Sequence, residues 1–523
     1  MPFLCLYRKN IPKVLEHFSD RHHSYAAQNE KMPGIWSRLG PLTLIFHFLL
    51  LMHGVEVSSQ NEIACQSCSS RRSSGFCAVR TLEDILLIPE TCPNEVLDLR
   101  GTVYILYDVN ISEGFNLRRD VYIRLAVFVH HLQRSKRFRK VRLVLPPWPR
   151  LYHWHSQGLQ QEALPWSHFF DLDSLRRYAP VLDYEEFLDE QRIFGNPGAP
   201  LVHVTHAFRL QHYDVMLEQG IFKDKFERIA DKPCRSDSLT GGPLLRQPEL
   251  RIDRFHCVQF QGSARLLEKL LRSAIDEDTA GLEDADDMRT YALLSAETVL
   301  HDHWGDIHFW RARRSMRFAR RLSQVAADFR QKVLATVDAG VQRPAMWELE
   351  RPKRNAIGGN YLCAHLRRGD FLRSREATTP SLKAAAQQVK QLLRTFNMTT
   401  VFLASDATPY ELMELKELFK RFRFVHFTPE SNAQRRELKD GGLAVVDQLI
   451  CAYARYFVGT YESTFTYRIY EEREILGFSQ ASTFNTFCKV VGGRCPRNAV
   501  WPIMWGDSDI GSYNEEDNES DQY

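Results

Sequence analysis

Residues 103–132, VYILYDVNISEGFNLRRDVYIRLAVFVHHL, decide the fold class. Val103–Val109 is an apolar run of strand length, and a loop containing Gly114 follows it. Arg119–Arg134 then places apolar residues at helical spacing. Val141–Leu145 predicts a second strand that two prolines stop. A strand, a helix and a strand within about 45 residues predict a right-handed parallel crossover, and therefore an α/β protein.

A second series of strands and helices follows Pro344–Arg354, which we interpret as a linker. Its predicted strands are Tyr361–Leu366, Thr400–Ser405, Phe422–Phe427 and Arg455–Gly459, and its predicted helices are Leu382–Phe396, Gly442–Ala454 and one starting at Thr464–Glu472. Residues 230–290 are mixed and polar. Two such series predict two α/β domains, with a ligand at the carboxyl ends of their strands.

The chain therefore divides into five predicted units. Residues 1–57 form a leader, 58–98 a cysteine-bearing extension, 99–335 the first α/β domain, 336–498 the second, and 499–523 an acidic, disordered tail. We see no internal repeat.

Composition excludes several classes of protein. Of the 523 residues, 44% are hydrophobic and 25% are charged, which excludes a wholly disordered, collagenous or multi-span membrane chain. The formal net charge is +3, whereas a dedicated nucleic-acid binder carries a strong basic excess. We expect no nucleic-acid partner and a monomer.

The leader predicts a secretory route. Residues 41–52, PLTLIFHFLLLM, are too few to span a bilayer as a helix and suit a cleaved signal peptide. The alternative is a buried hydrophobic helix, and the signal begins at a normal distance from Met32 rather than from Met1. We expect a protein of the secretory pathway with no stable membrane span, and the family resemblance described below implies the lumen of the endoplasmic reticulum.

The cysteines agree with an oxidising compartment. Cys65, Cys68, Cys77 and Cys92 crowd one segment and predict disulfides, with a zinc site as the alternative. Cys363 and Cys451 lie in apolar runs and predict buried free thiols. Sequons begin at Asn110, Asn397 and Asn518, and they matter only in the secretory pathway.

A carboxylate follows the first strand. The stretch Ser112, Glu113, Gly114, Phe115 and Asn116 joins that strand to its helix. Glu113 is suited to accept a proton from a hydroxyl, and Gly114 lets a ligand approach the backbone. The helix N-terminus offers N–H groups to an anion. The alternative is that Glu113 only favours the helix N-terminus.

Arginines follow the first strand of the second series, in His365, Leu366, Arg367 and Arg368. An arginine there can hold a phosphate with two hydrogen bonds and stabilise a departing pyrophosphate. The alternative is a surface salt bridge to Asp370. We expect one arginine in each role.

Two further features are suited to binding an anion and a nucleobase. Hydroxyl side chains precede and open the helix in the stretch Thr460-Tyr461-Glu462-Ser463-Thr464-Phe465, as an anion site or as a plain N-cap. Asp447 lies in the apolar helix LAVVDQLI and needs a partner, such as a nucleobase edge or a structural arginine.

We predict no metal. Asp284-Ala285-Asp286 has the spacing of an acid-x-acid metal motif, but it lies in a charge-rich loop that we interpret as solvated surface. His301-Asp302-His303 is a weak ligand pattern.

Long blocks of the chain resemble one enzyme family. They include YDVNxxEGFNLRRDVYIR (107–124), LPPWxRLYHW (145–154), HDHWG (301–305), HLRRxDF (365–371), KDGGxAxxDQxICAxARxFxGT (439–460) and STFxxRIxEEREILG (463–477). Together they resemble the GDP-fucose protein O-fucosyltransferases, in the branch that acts on thrombospondin type 1 repeats. The similarity runs from about Val103 to about Cys495 and leaves the leader, the early cysteines and the tail outside.

The resemblance implies a GT-B architecture, with two Rossmann-like domains facing across a cleft. It implies inverting transfer of fucose from GDP-β-L-fucose to Ser or Thr of folded repeats, with no required cofactor. By matching residues, Glu113 is the general base, Arg367 assists departure of GDP, and the donor contacts are Ser112 to Asn116, His365 to Arg367, Asp447, Thr464 and Phe465. Disulfides Cys234–Cys257 and Cys488–Cys495 are implied too.

The chain departs from the family pattern at three points. Ile111-Ser112 replaces two prolines, which loosens that loop, and Gly369 replaces a lysine. The Ile111-Ser112 replacement also creates the Asn110 sequon. We predict this sequon to be unoccupied because Asn110 ends a buried strand. Two alternative functions stay open: O-fucosylation of another folded module, such as epidermal-growth-factor-like repeats, and a nucleotide-sugar-binding chaperone without significant turnover.

Overall fold

The computed structural model describes residues 99–194, 202–211, 217–218, 221–222, 228–234, 243–261, 263–279, 288–298, 303–493, 495–496 and 499–510. The predicted signal peptide, the four early cysteines and the sequon at Asn518 lie outside the described residues.

Most of the strands form two parallel sheets. The strands are β1 (Val103–Tyr107), β2 (Val141–Leu145), β3 (Val181–Asp183), β4 (Val202–Gln211), β5 (Leu217–Glu218), β6 (Ile221–Phe222), β7 (Arg228–Lys232), β8 (Leu250–Gln261), β9 (Arg289–Leu294), β10 (Gly359–Leu366), β11 (Thr400–Ser405), β12 (Arg423–His426) and β13 (Ala454–Val458). The first sheet has the order β3-β2-β1-β9-β4-β8-β7, and only β7 is antiparallel to its neighbour. The second has the order β12-β11-β10-β13 and is parallel throughout.

Helices connect the strands of both sheets. They are α1 (Phe115–Leu132), α2 (Leu172–Arg176), α3 (Tyr184–Phe194), α4 (Ala264–Thr279), α5 (Ile307–Ser315), α6 (Arg320–Lys332), α7 (Phe371–Ser374), α8 (Leu382–Thr395), α9 (Pro409–Leu418), α10 (Asn432–Ala452), α11 (Thr464–Leu476), α12 (Gln480–Thr483) and α13 (Asp507–Ile510). The α/β class and the two parallel sheets predicted from the sequence are confirmed.

Parallel strands covered on both faces explain why β1 is apolar at every position. All five of its residues are buried. It pairs with β2, where Ile105 lies opposite Leu143, and with β9, where Ile105 lies opposite Tyr291. The largest cluster of buried apolar side chains includes Ile105 and also Phe402 of β11, so both sheets share a continuous core.

Helix α10 differs most from its prediction. It starts at Asn432, ten residues before the predicted Gly442, and it is interrupted at Lys439, whose φ is 58°. Just after the interruption, Gly441 lies directly against aromatic rings. A Cβ there would come within 2.7 Å of Phe169 and 2.8 Å of Trp154. A glycine at 441 therefore lets α10 approach the residues that follow β2.

A cluster of buried charges joins three helices. Arg313 of α5 is fully buried, and its Nε donates to Glu471 of α11 at 2.7 Å while its Nη2 donates to Glu472 at 2.9 Å. Arg468 of α11 pairs with Glu471 at 2.9 Å and lies 3.8 Å from Asp120 of α1. Burial opposes ionisation of Glu472, but Arg343 and Arg313 outweigh it and hold the pKa of that carboxyl at about 2.

Three disulfides lie in the described part of the chain. Cys234–Cys257 and Cys488–Cys495 are the two implied by the resemblance, and both are confirmed. The third joins Cys363 of β10 to Cys451 of α10, so the prediction of two buried free thiols is wrong. Each cysteine lies in an apolar run as expected, but α10 packs on β10 and brings their Cα atoms within 5.1 Å.

The segment from Ala499 also differs from its prediction as a disordered tail. Asp507–Ile510 form α13, and the buried Asp509 accepts hydrogen bonds from Arg314 at 2.8 Å and Arg311 at 3.1 Å. Ile503 is buried too. Residues 499–510 therefore fold back onto α5, while the remaining acidic residues lie outside the described part of the chain.

None of the helices within the described ranges combines the length and the apolar character that a membrane crossing requires.

The buried charge cluster generates a stability prediction. Arg313→Met leaves Glu471 and Glu472 without a shared cation, so we expect a loss of about 3–5 kcal/mol in the free energy of unfolding in urea. The control is Arg192→Met, because Arg192 pairs with Asp189 at 2.9 Å with both side chains exposed. We expect the control to cost less than about 1 kcal/mol. Equal losses in the two variants would contradict this account of the cluster.

Candidate active site

The loop that carries Glu113 is held by buried hydrogen bonds. Arg118 of α1 donates from Nη2 to the carbonyls of Val109 and Asn110, at 3.1 and 2.8 Å, and from Nε to that of Glu113 at 3.0 Å. The buried Asp108 accepts from the N–H groups of Val109 and Leu244. These contacts hold the carbonyls on either side of Ile111-Ser112, where the family pattern has two prolines.

Glu113 does not cap the helix that follows it. The N-cap of α1 is Gly114, no side chain caps that end, and no acidic residue lies in the first turn. Glu113 is partly exposed. Burial and the nearby Glu297 raise the pKa of its carboxyl, and Arg118 opposes them. Glu113 therefore makes no capping hydrogen bond to α1, and its carboxyl lies in the loop between β1 and that helix.

The Asn110 sequon is not buried. Asn110 lies three residues after the end of β1 and is exposed, and its Oδ1 accepts hydrogen bonds from the N–H and hydroxyl of Ser112. Burial at a strand end is therefore not a reason for the sequon to be unoccupied.

Arg367 follows β10 directly, and its guanidinium contacts three other side chains. Its backbone N–H donates to the Thr460 hydroxyl at 2.8 Å. Its guanidinium contacts Asp370 at 2.7 Å, Asp406 at 3.1 Å and the ring nitrogens of His153 at 3.1 and 3.2 Å. The side chain is 18% exposed, so the guanidinium is held in place while one side stays open.

Arg368 has a structural role, as expected for one of the two arginines. Its guanidinium donates to Glu411 at 2.9 Å and to the carbonyl of Pro380, and it is buried. The Asp370 salt bridge that we offered as an alternative is present, but Arg367 makes it.

The start of α11 joins the same region. Ser463 is at the N-cap and makes no capping hydrogen bond with its side chain, so the first N–H groups of this 13-residue helix are left without a side-chain cap. Phe465 stacks on the buried ring of His365, with centroids 4.3 Å apart. His365 bonds the Thr466 hydroxyl at 2.8 Å, and burial together with Arg367 lowers the pKa of its imidazole to about 3. Leu366 is a core residue.

Asn116 and Asp447 are placed by contacts between α1 and α10. Asn116 Oδ1 accepts from Gln448 at 2.8 Å and from Arg119 at 3.2 Å. Next to Gln448, the Oδ1 atom of Asp447 is shielded from solvent and finds no hydrogen-bond partner among the described residues. Burial raises the pKa of this carboxyl well above its usual range. A structural arginine is therefore not the partner of this oxygen.

A cavity of about 260 Å³ lies between the first turns of α1 and α11. Its lining residues are Asn116, Leu117, Asp120, Trp304, Thr464, Tyr467, Arg468, Ala499 and Trp501. Two predicted site residues, Asn116 and Thr464, thus border one hollow from the two halves of the chain.

Sequence reasoning missed two residues near Glu113 and Arg367. His153 lies against Gly114, and the Tyr152 ring contacts His153 at a tilt of 41°. Burial raises the pKa of the Tyr152 phenol, Asp370 and Glu113 raise it further, and Arg367 opposes them. One phenol therefore lies within electrostatic range of both predicted catalytic groups. The block LPPWxRLYHW contained Tyr152 and His153, but nothing in its pattern gave either a role.

The two acidic and histidine patterns that we weighed as metal ligands lie mostly outside the described ranges, which leave out Asp284, Asp286, His301 and Asp302. His303 is described and pairs with Asp306 at 2.7 Å. No group of three or more His, Cys, Asp or Glu side chains in the described ranges is arranged to hold a metal ion.

Comparisons with known proteins cover this whole site. A family model described as GDP-fucose protein O-fucosyltransferase matches residues 104–476. The GDP-fucose protein O-fucosyltransferase 2 of Drosophila melanogaster is 78% identical over 491 residues, which is 93% of this chain and 100% of that protein. The human protein of the same name is 39% identical over 414 residues, 77% of this chain and 90% of that one. A crystal structure of POFUT1 in complex with GDP has 16% identity and a TM-score of 0.47, covering 75% of this chain and 98% of that chain.

Proposed function

The chain belongs to the GDP-fucose protein O-fucosyltransferase family, and we propose that it moves fucose, with inversion, from GDP-β-L-fucose to Ser or Thr hydroxyls of folded thrombospondin type 1 repeats. The observation that carries the mechanism is the placement of Glu113 and Arg367. They come from opposite halves of the chain, and both lie within electrostatic range of Tyr152, while His153 contacts Arg367 and Gly114.

Glu113 is the proposed general base. Inversion needs a base on the face of the sugar opposite the leaving group, because the acceptor oxygen attacks there as its proton leaves. The raised pKa of Glu113 makes it a stronger base than an exposed carboxylate. Glu113 would take the hydroxyl proton as the bond between the acceptor oxygen and the anomeric carbon forms.

Arg367 is the proposed stabiliser of the leaving group. Negative charge develops on the β-phosphate as the glycosidic bond to the nucleotide breaks, and a guanidinium already held in position reduces the reorganisation needed. The uncapped first turns of α1 and α11 offer backbone N–H groups to the same diphosphate. Exposed Asp370 is the acceptor of Arg367 that a phosphate oxygen replaces most easily.

The remaining predicted contacts suit the rest of the donor. The Asp447 carboxyl, which has an unpartnered Oδ1, suits the N–H edge of guanine, and the neutral His365 stacked on Phe465 flanks the start of α11. Ser112 to Asn116 border the opposite side. The cavity beside Asn116 and Thr464 has room for one pyranose ring, and its aromatic walls suit the methyl-bearing face of a 6-deoxy sugar.

The acceptor and the compartment are inferred more indirectly. The sequence blocks resemble the branch that acts on thrombospondin type 1 repeats, and the Drosophila and human relatives are both type 2 enzymes. Three disulfides suit an oxidising lumen. We place the enzyme as a monomer in the endoplasmic reticulum.

The deciding experiment offers labelled GDP-fucose and two purified acceptors, a folded thrombospondin type 1 repeat and an epidermal-growth-factor-like repeat, with EDTA present. We expect label on the first acceptor only, at a rate that EDTA leaves unchanged. Label on the second acceptor alone supports the alternative acceptor. Binding of GDP with no transfer to either acceptor supports the chaperone alternative.

Glu113→Gln tests the base in the same assay. The amide cannot accept the proton, so we expect transfer to fall by about 10²–10⁴-fold. GDP affinity, measured by calorimetry, should change by less than about twofold, because only the charge of one side chain changes. Full transfer by this variant removes Glu113 from the mechanism.

Arg367→Ala tests the leaving-group stabiliser. Loss of one well-placed charge stabiliser costs about 2.7–4 kcal/mol, so we expect a fall of 10²–10³ in kcat. The matched control is Arg373→Ala in the adjoining helix α7, since Arg373 is exposed. Similar kcat values for the two variants would refute the assignment.

Glu297→Gln tests the electrostatics of the base. Glu297 raises the pKa of Glu113, and activity is lost as pH falls through that pKa because the base becomes protonated. Removing the Glu297 charge therefore moves the acid limb of the kcat/KM profile to lower pH, while Glu417→Gln, an exposed control, leaves it in place. If Glu297→Gln does not move the acid limb, that limb reports the titration of a group other than Glu113.

A further inference from the structure

His153 touches both halves of the proposed site. Arg367 Nη2 lies 3.1 Å from its Nδ1 and 3.2 Å from its Nε2. A Cβ at Gly114 would come within 3.3 Å of its Cδ2 and Nε2 atoms. The neighbouring Tyr152 ring is tilted by 41° relative to it, with centroids 3.6 Å apart. The imidazole therefore contacts both the Glu113–Gly114 loop and the guanidinium.

We propose that His153 is a positioning residue, which sets the direction of the Arg367 guanidinium relative to the Glu113–Gly114 loop. The inference rests on the proposed function, because it assigns His153 a part in the same transfer reaction. His153 acts through Arg367 and has no chemical step of its own.

The neutral form of the ring is the one that fits. Burial and the charge of Arg367 lower the pKa of the His153 imidazole to about 4, with Asp370 opposing and His155 adding slightly to the decrease. At neutral pH the ring carries no charge, so it does not repel the guanidinium as a protonated ring would.

Neutrality distinguishes His153 from the other acceptors of Arg367. Asp370 and Asp406 are carboxylates, and each repels an incoming diphosphate. An uncharged imidazole does not compete electrostatically for the guanidinium in that way. When phosphate oxygens replace Asp370, His153 stays in contact with the Arg367 guanidinium and keeps its direction relative to the Glu113–Gly114 loop.

The packing of His153 against Gly114 also couples the position of the ring to the position of the Glu113–Gly114 loop. The loop rests on the ring edge without an intervening side chain, so a displacement of the ring changes the distance between Glu113 and Arg367. Small misplacements of reacting groups cost up to about 10²-fold in rate.

The test is a double-mutant cycle in the labelled transfer assay, with His153→Ala, Arg367→Ala and the double variant under single-turnover conditions. Because His153 acts through Arg367, His153→Ala should lower transfer about 30-fold in the wild-type background and less than twofold in the Arg367→Ala background. The loss should fall on kcat more than on the donor KM.

Two further variants separate positioning from folding. His153→Asn retains a neutral acceptor near the Nδ1 position and should recover most of the lost rate. His155→Ala removes an exposed neighbouring imidazole and should leave the rate unchanged. The urea midpoint of every variant is measured alongside.

Three outcomes overturn the proposal: wild-type transfer by both His153 variants, an equal loss from His153→Ala in both backgrounds, or a rate loss that follows the urea midpoint alone. A wild-type chain that transfers no fucose to any acceptor instead refutes the proposed function, whatever the His153 variants do.

Discussion

The placement of the site depends on the charged contact buried between α1, α5 and α11. Arg313 is enclosed with Glu471 and Glu472, and Arg468 links Glu471 to Asp120. Buried carboxylates and guanidinium groups are costly unless each finds a partner, so these ion pairs favour the relative arrangement of the helices in which they form. That arrangement brings the first turns of α1 and α11 to the walls of one cavity.

The groups proposed to carry the reaction lie at or beside the first turns of α1 and α11. Glu113 precedes α1, Thr464 opens α11, and Arg367 leaves β10 beside them. The two helices present uncapped N–H groups, and the arginine adds a full positive charge held by neighbours that a phosphate can partly replace. A base on one side and an anion site on the other are what an inverting transfer from a nucleotide sugar requires.

The strands that the sequence predicted accurately are continuous runs of apolar residues. β2 and β11 match their predicted bounds, since buried parallel strands are continuous apolar runs. β8 alternates charged with apolar residues in a stretch that we judged mixed and polar, and it was missed. The Cys363–Cys451 disulfide and the His153 contacts were missed for another reason. Both join residues far apart in the chain, and neither leaves a local pattern.

The most direct test of the account is a crystal structure of this chain with GDP and a folded acceptor repeat. We predict the diphosphate between the Arg367 guanidinium and the first turns of α1 and α11, and the acceptor hydroxyl beside Glu113 on the opposite side of the sugar position. A nucleotide bound away from Arg367, or Glu113 and Arg367 on the same side of the sugar position, would contradict the account.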